Sequence, residues 1–377
     1  MRDRRRDRVR LLPLAGDCVN GIFWSWRQPQ AADRFRTGIS LHGHTLHSEE
    51  CLSFLPRYLR QVPGIAMIAR RYERARVDFA RAWWTPPLPP AAAIHLECAQ
   101  IAELGLQPIV SLTDHDNIDA ASVTGTPVSV EWTVPYSGTI LHLGIHNLPR
   151  SSAAFWMREM AEYTASLDPA LLHVLLQELA SIPGVLVVLN HPLWLEEGVT
   201  RAAHDHALPI FLGAYGRQMH AFEFNGTRSW AENAAVMALA RSWSRPVISG
   251  GDRHGTEPAA CINLSNATSF EEFAEEVRGG HSTMLVMPQY REPRAHRVFE
   301  AIWDVLRPYP EYPGRERWTD RFFYRGEDGA ARPLALVWKE EAPWMVNPAA
   351  SLFQLIASAP LRPAVRLLLA ARSEAMP

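Results

Sequence analysis

Residues 108–116 read PIVSLTDHD, an apolar run that is followed at once by four polar side chains. The run 108–112 has the length of a buried strand. The amphipathic stretch 92–104 before it ends at Gly105, which is typical of a helix that stops before a turn. A helix, then a strand that ends in titratable residues, is the unit from which α/β proteins are built.

The same alternation of helix-like and strand-like segments continues from about residue 95 to residue 290. Besides 108–112, the strands that it predicts are 38–41, 128–134, 139–145, 185–189, 221–224, 246–248 and 283–286. The helices that it predicts are 92–104, 169–180, 231–243 and 270–277, the last with Ser269 as its N-cap. The fold class is therefore predicted to be α/β.

Two regions fall outside this rhythm. Residues 52–90 combine a long helical pattern with a cluster of tryptophans and prolines, which indicates an insertion between the first two core units. Residues 291–377 are rich in Pro, Arg and Trp and lack the core periodicity. We therefore expect an N-terminal extension over 1–37, a core domain over 38–290 with an insertion at about 52–90, and a C-terminal extension over 291–377 of unknown role.

Composition excludes several classes of protein. Of the 377 residues, 47% are apolar and 21% are charged, as in ordinary domains with a sizeable core. The net charge of −2 gives no overall field that favours nucleic acid or an anionic membrane. The four cysteines contain no CxxC pair, which argues against a zinc knuckle and a disulfide framework. No apolar stretch suits a bilayer or a signal peptide, so a reduced, cytoplasmic location is expected.

Histidines and carboxylates follow or interrupt the predicted strands. His42 and His44 come directly after 38–41, and residues two apart on an extended chain point to the same side, so both imidazoles can reach one ion. Glu131 lies inside an otherwise apolar strand, where an unpaired carboxylate would cost several kcal/mol. The remaining candidates, each on or just after a predicted strand, are His115, His142, His146, His191, Asp252, Arg253 and His254.

Each of these residues taken alone has a structural alternative. A histidine after a strand can be a hydrogen-bonded structural residue, Glu131 can pair with an arginine, and Asp252 can be a turn former beside its glycines. Such independent explanations do not account for polar groups at the ends of nearly all the predicted strands, where parallel barrels place their catalytic residues. A metal site is the joint interpretation. Imidazoles mixed with carboxylates suit zinc, iron or manganese better than calcium or magnesium.

The order of these motifs resembles that of the PHP superfamily, which is named for polymerase and histidinol phosphatase members. The resemblance covers 38–290 and rests on HGHT at 42–45, TDH at 113–115, Glu131, the His146 segment, HP at 191–192 and DRH at 252–254. The strand FEFNG at 222–226 and the unit 270–287 also resemble family elements. The resemblance implies a distorted (β/α)7 barrel of PHP type that holds two or three divalent ions, commonly zinc, manganese or iron.

The resemblance also implies a set of ligands. Carried over by position, the first ion would be bound by His42, His44, Glu131 and Asp252. Glu131 would bridge to a second ion that is completed by His191 and a histidine of 139–147, for which spacing favours His146 and leaves His142 as the alternative. His115 and His254 would hold a third ion. At residues 48–50 this sequence departs from the family motif that would complete the third site. Glu49 is the expected substitute ligand there, with Glu50 as the alternative.

The function that the resemblance implies is hydrolysis of a phosphate ester, with a small phosphorylated substrate favoured over nucleic acid. Two cations about 3.5–4 Å apart would activate a water and neutralise the phosphoryl oxygens. Asp252, Arg253 and His254 are expected to carry the chemistry, and Arg253 and Arg228 are candidate phosphate contacts. Asp114 is expected to orient His115. The alternatives are an amidohydrolase-type metal enzyme that acts on a C–N bond, and a metal-binding barrel without catalysis.

Overall fold

The computed structural model describes residues 21–52, 81–196, 198–337, 346–357 and 360–370. Its strands are β1 Gly21–Trp24, β2 Thr37–Leu41, β3 Glu50–Cys51, β4 Ala82–Trp84, β5 Gln107–Ser111, β6 Val128–Tyr136, β7 Thr139–Leu148, β8 Leu186–Asn190, β9 Ala221–Asn225, β10 Val247–Gly250, β11 Cys261–Ser265, β12 Thr283–Val286, β13 Phe322–Arg325 and β14 Ala331–Pro333. Its helices are Pro90–Glu103, Asp119–Thr124, Ala153–Ser166, Pro169–Ser181, Arg201–Tyr215, Trp230–Ser242, Phe270–Arg278, Arg294–Leu306, Leu334–Val337, Val346–Ile356 and Arg362–Ala370. The mixed α/β content agrees with the sequence pattern.

The described strands form three sheets. The first has the order β1-β12-β11-β2-β5, the second β10-β9-β8-β7-β6, and the third β14-β13-β4-β3. In the first sheet β2 and β5 are parallel, and in the second β8, β9 and β10 are parallel. β7 is antiparallel to both of its neighbours. The carboxyl ends of four parallel strands, β2, β5, β8 and β10, therefore carry most of the predicted site residues, whereas β7 runs the opposite way.

Four of the described helices combine an apolar face with a side-chain N-cap. In the helix Pro169–Ser181, Leu172, Leu175, Leu176 and Leu179 lie on one face and are buried in the largest core cluster. Asp168 caps this helix by accepting a hydrogen bond from Ala170 N. The predicted N-cap Ser269 is confirmed, because its side chain accepts from Glu272 N. Thr200 and Ser229 cap two further helices in the same way.

Two contacts join the first sheet to the second at the ends of their strands. An isolated parallel bridge pairs Gly43, after β2, with Arg253, after β10, and Gly251 N donates to Leu41 O at 2.8 Å. A second isolated parallel bridge pairs His115, after β5, with Glu131 of β6. Followed across these two isolated bridges, the order β2-β5-β6-β7-β8-β9-β10 contains seven strands. We keep the predicted distorted (β/α)7 barrel as a proposal, which these two bridges support.

The terminal regions also contribute strands. β1, which lies within the predicted N-terminal extension, pairs in parallel with β12. β13, in the predicted C-terminal extension, pairs with β4, and β4 pairs with β3. Most of the predicted insertion, residues 53–80, lies outside the described residues, so its role as a cap stays a prediction. The domain boundaries likewise stay predictions.

None of the helices that the structure describes is long and apolar enough to cross a bilayer.

Candidate metal centre

The turn after β2 brings two imidazoles to the centre of the polar cluster. His42 Nε2 lies 3.0 Å from Glu131 Oε2 and 3.7 Å from Asp252 Oδ1. His44 Nε2 lies 3.3 Å from the same Glu131 oxygen and 3.6 Å from the same Asp252 oxygen. All four residues are buried. We call His42, His44, Glu131 and Asp252 the first group, and its convergence agrees with the placement that the sequence predicts.

The inner atoms of this group lack hydrogen-bond partners among the described residues. His42 Nε2, His44 Nε2 and Glu131 Oε2 are buried and make no hydrogen bond to any residue that the structure describes. An unsatisfied buried polar group costs about 1–3 kcal/mol. Two imidazole nitrogens and a carboxylate oxygen that face one another at 3.0–3.3 Å are a suitable ligand set for a divalent cation. The donor set therefore fits the metal that the sequence implies.

The backbone at three of the predicted ligands lies in the left-handed region. The φ angles are 59° at His42, 26° at His191 and 47° at Asp252. Residues other than glycine adopt this region at a cost of order 1–3 kcal/mol, and such residues concentrate at functional sites. In each case the turn directs a side chain from the end of a parallel strand into the cluster. The sequence gives no sign of this strain, because no glycine marks these positions.

A second group shares Glu131 with the first. Glu131 Oε1 lies 3.0 Å from His191 Nε2 and 3.7 Å from His142 Nδ1. Asn190 Nδ2 donates to the same oxygen at 3.0 Å and fixes its position. We call Glu131, His142 and His191 the second group. One carboxylate oxygen therefore faces each group, as a bridging ligand requires.

His142, and not the favoured His146, faces this group. β7 is antiparallel to β8, so His142 is opposite Asn190 at the site end of β8, whereas His146 is opposite Leu186 at the far end. Four residues of strand separate the two histidines by about 13 Å. His146 Nδ1 instead hydrogen-bonds Ser111 Oγ at 2.8 Å. The preference for His146, which rested on spacing, was wrong, because spacing does not show which end of β7 lies at the cluster.

A third group lies on the other side of His44. Glu50 Oε2 is 3.2 Å from His254 Nε2 and 3.5 Å from His115 Nε2. His44 Nδ1 is 3.8 Å from Glu50 Oε1, so His44 lies between the first group and the third. We call Glu50, His115 and His254 the third group. Their ligand atoms, with one from His44, all lie within 4.8 Å of one another.

Glu49 does not reach this group. Its side chain is 57% exposed and lies 3.6 Å from Arg325 Nη2, whereas that of Glu50 is 13% exposed. Successive residues of a strand point to opposite sides, so the pairing of Glu50 with Trp84 of β4 decides which carboxylate faces inward. The choice of Glu49 is corrected to Glu50, the alternative that the sequence left open.

The two neighbouring glutamates make a matched test of the third group. We expect Glu50→Gln to lower the number of bound ions by one, because the amide removes the anionic ligand but keeps the shape. Glu49→Gln, one residue away and exposed, should leave the number unchanged. Inductively coupled plasma mass spectrometry on dialysed protein measures both. Loss of an ion from Glu49→Gln with retention in Glu50→Gln would reverse the assignment.

Glu223 of β9 is a site residue that the sequence did not single out as a partner of the ligands. Its Oε1 lies 2.5 Å from His42 Nδ1, and its Oε2 accepts from His191 N at 2.9 Å. A carboxylate on the far nitrogen of a ligating histidine fixes its tautomer and orientation. The available signal was the same as for Glu131, a glutamate inside an apolar strand.

Gly250 leaves room for this carboxylate. A Cβ at Gly250 would lie 1.6 Å from Glu223 Oε1. We expect Gly250→Ala to displace Glu223 from His42 and to weaken metal binding about 10–100-fold, measured by competition with a chromophoric chelator. Gly213→Ala is the control, since no atom lies within 4 Å of a Cβ there. Equal metal affinity in both variants would contradict the role of Glu223.

The two candidate phosphate-binding arginines differ in their surroundings. Arg253 is 5% exposed, its Nε bonds Glu97 at 2.8 Å, and its Nη1 donates to Gly255 O. This ion pair directs Arg253 away from the cluster, which corrects its assignment as a catalytic residue. Arg228 Nη2 lies 3.1 Å from Asp252 Oδ2, and the guanidinium stacks 3.8 Å from the ring of Trp194. Arg228 therefore lies at the edge of the first group.

Asp114 was expected to orient His115, but its side chain bonds to the turn after β2. It accepts hydrogen bonds from Thr45 N at 2.5 Å and Thr45 Oγ1 at 2.8 Å. Thr45 directly follows His44, so Asp114 holds the HxH turn against the end of β5. The expected contact with His115 is not among those that the structure shows.

The electrostatics keep the central carboxylates ionised. Burial opposes ionisation of Glu131, but the nearby His42, His115 and His142 outweigh it and hold its pKa well below the ordinary value. Asp252 is also buried, yet the neighbouring His44 and the charge of Arg228 lower its pKa well below the ordinary range. Burial, assisted by neighbouring histidines, lowers the pKa of His142. Burial lowers the pKa of His42, but the charges of Glu131 and Glu223 outweigh it and raise that pKa well above the ordinary value, so a cation that binds there must displace the proton of this imidazole.

Comparison with known proteins leaves the family open. No family model matches the chain, and no curated protein matches it. PsfC from Pseudomonas syringae is 15% identical, with 72% of this chain and 98% of that chain covered and a TM-score of 0.39. A protein named as a "putative metal-dependent phosphoesterase" from Bifidobacterium adolescentis is 13% identical, with 64% and 96% covered and a TM-score of 0.34. At these TM-scores neither likeness identifies the family or the reaction of this chain.

Proposed function

We propose that this chain is a metal-dependent phosphoesterase of PHP type that hydrolyses a small phosphorylated substrate. The observation that carries the proposal is that the three groups of candidate ligands meet at Glu131 and His44, where buried atoms have no hydrogen-bond partner among the described residues. Six histidines and three carboxylates from separate strands take part. Such an arrangement is costly to the fold unless cations bind there.

The residues present define which side chains would hold each ion. The first group would hold one ion, the second group would hold another with Glu131 shared, and the third group would hold a third. Bound divalent cations of the Zn, Mn or Fe kind supply Lewis acidity, which lowers the pKa of a water and neutralises charge on phosphoryl oxygens. Glu223 and Asn190 orient the ligands, and Asp114 fixes the turn that carries His44.

Arg228 is the residue best placed to bind the substrate anion. Its Nη2 is held by Asp252, its face rests on Trp194, and its Nε is buried with no hydrogen-bond partner among the described residues. A guanidinium presents several donors in one plane and pairs with phosphate oxygens. With its orientation fixed on two sides, Arg228 can donate its remaining N–H groups to a phosphoryl group at the metal centre.

The test is a panel of small phosphomonoesters, run with Mn²⁺, Zn²⁺ and Fe²⁺ in turn on chelator-treated protein. We expect hydrolysis only when metal is added. We also expect Arg228→Ala to lower kcat/KM mainly by raising KM, because the substitution removes a contact with the substrate anion. Full turnover of a phosphomonoester by metal-free protein would overturn the proposal. Two or more bound ions with no hydrolysis of any ester would favour a metal-binding barrel without catalysis.

The amidohydrolase alternative has less support from the residues. Those enzymes often use a carboxylated lysine as the bridging ligand, and the only lysine of this chain, Lys339, lies outside the described residues. Glu131 already has one oxygen facing each of two groups. A cyclic amide in the same panel separates the two reactions. Its metal-dependent hydrolysis in the absence of any phosphatase activity would replace the proposed function.

A further inference from the structure

The helix Arg294–Leu306 contacts the loop that follows β10. Asp304, which is 7% exposed, accepts hydrogen bonds from Thr256 N at 2.7 Å and from Thr256 Oγ1 at 3.0 Å. A Cβ at Gly255 would lie 2.3 Å from Asp304 Oδ2, so the carboxylate fits closely against this backbone. His254 of the third group directly precedes these two residues. The backbone that directly follows His254 is therefore held by a residue far along the chain.

A second connection reaches Glu50, the other side of the same group. β13 pairs antiparallel with β4, with Phe322 opposite Trp84, and Trp84 is in turn opposite Glu50 of β3. Glu50 thus lies in an edge strand of a sheet whose strands β13 and β14 come from the same C-terminal region. The indole ring of Trp84 also lies 6.1 Å from the ring of His254.

Arg321 joins these two connections. It is 1% exposed and donates to Val305 O and Arg307 O, at the end of the helix, at 2.7 and 2.8 Å. Its own carbonyl accepts from Thr85 N, next to β4, at 2.9 Å. Burial lowers its pKa to about 10, so the guanidinium stays charged at neutral pH. The helix and β13 are therefore tied together by a buried cation.

From these contacts we propose that residues 294–325 form a frame that positions Glu50 and His254 for a third ion, with Asp304 as the positioning residue on the His254 side. The inference rests on the proposed function only in requiring that the third group binds a cation. Two of the three residues in that group are held by the frame, whereas those of the second group are held by the core strands β6, β7 and β8. Loss of a supporting contact of this kind typically weakens metal binding about 10–100-fold.

The test uses the full chain, loaded with Mn²⁺ and analysed for bound metal at rising free metal concentration. We expect three ions in the unchanged protein, and in Asp304→Asn a third ion that binds about 10–100-fold more weakly and returns at high Mn²⁺. The matched control is Asp328→Asn, an exposed aspartate of the same region that bonds Arg332 and Ala330 N. It should bind three ions with unchanged affinity.

Thr256 provides a second variant that keeps Asp304 in place. Thr256→Val removes the hydroxyl donor and should also weaken the third ion, whereas Thr256→Ser retains the donor and should bind it normally. A purely structural role for Asp304 would lower thermal stability without changing the affinity of that ion. Three ions with equal affinity in the unchanged protein, Asp304→Asn and Thr256→Val would overturn the frame. A count of two bound ions in the unchanged protein would also overturn the frame. A count of zero bound ions would overturn the proposed function itself.

Discussion

Glu131→Gln is expected to abolish metal-dependent hydrolysis and to empty two of the three ligand groups together. The glutamate has one oxygen facing His42 and His44 and the other facing His191 and His142. The amide has nearly the same shape, but it removes the negative charge that both groups share. We expect kcat/KM to fall by about 1,000-fold or more, which corresponds to about 4 kcal/mol of transition-state stabilisation.

The measurements are metal content, steady-state hydrolysis and far-UV circular dichroism on the same preparation. Glu178→Gln is the control, because Glu178 is exposed on the helix Pro169–Ser181 and distant from the described groups. The variant should keep its helical signal, since a neutral amide in place of a buried charge lowers the cost of burial. Retention of two ions with full activity would show that Glu131 is not the shared ligand.

From sequence, the clustering of side chains could be predicted for those that follow parallel strands. His42, His191 and Asp252 each follow a strand that is parallel to a neighbour, and apolar runs that end in polar residues are visible without coordinates. His191 and Asp252 follow parallel strands of the second sheet, whose carboxyl ends lie at one edge. His42 follows β2 of the first sheet and comes near them through the bridge between Gly43 and Arg253.

The prediction from sequence failed where the pairing of strands that are distant along the chain determines which side chain faces the site. The direction of β7, which selects His142 over His146, depends on its antiparallel pairing with β8, some 40 residues later. The choice of Glu50 over Glu49 depends on pairing with β4, across residues that carry no strand pattern. The strands that were not predicted are β1, β3, β4, β11, β13 and β14. Pairings of this kind gain their stability from tertiary contacts, which local patterns do not contain.

Arg253→Ala is expected to produce the largest loss of stability among the site variants, with little direct effect on substrate binding. The substitution leaves the Glu97 carboxylate buried, at 2% exposure, without its charged partner. Removal of one member of a buried ion pair costs about 3–5 kcal/mol. We expect a fall in melting temperature of roughly 5–10 °C, measured by calorimetry. Arg158→Ala is the control, because the exposed Arg158–Glu159 pair should contribute less than about 1 kcal/mol.

The same variant decides between a structural and a phosphate-binding role for Arg253. Glu97 also accepts hydrogen bonds from Ser40 Oγ and Ala259 N, so the pair ties β2 to the loop after β10. If that is its role, Glu97→Met combined with Arg253→Met should recover part of the lost stability, because no unpaired charge remains buried. KM for a phosphomonoester should stay within about threefold of the original, a difference of under 1 kcal/mol. An unchanged melting temperature together with a KM raised by tenfold or more would restore Arg253 as a substrate contact and leave the buried pair without consequence.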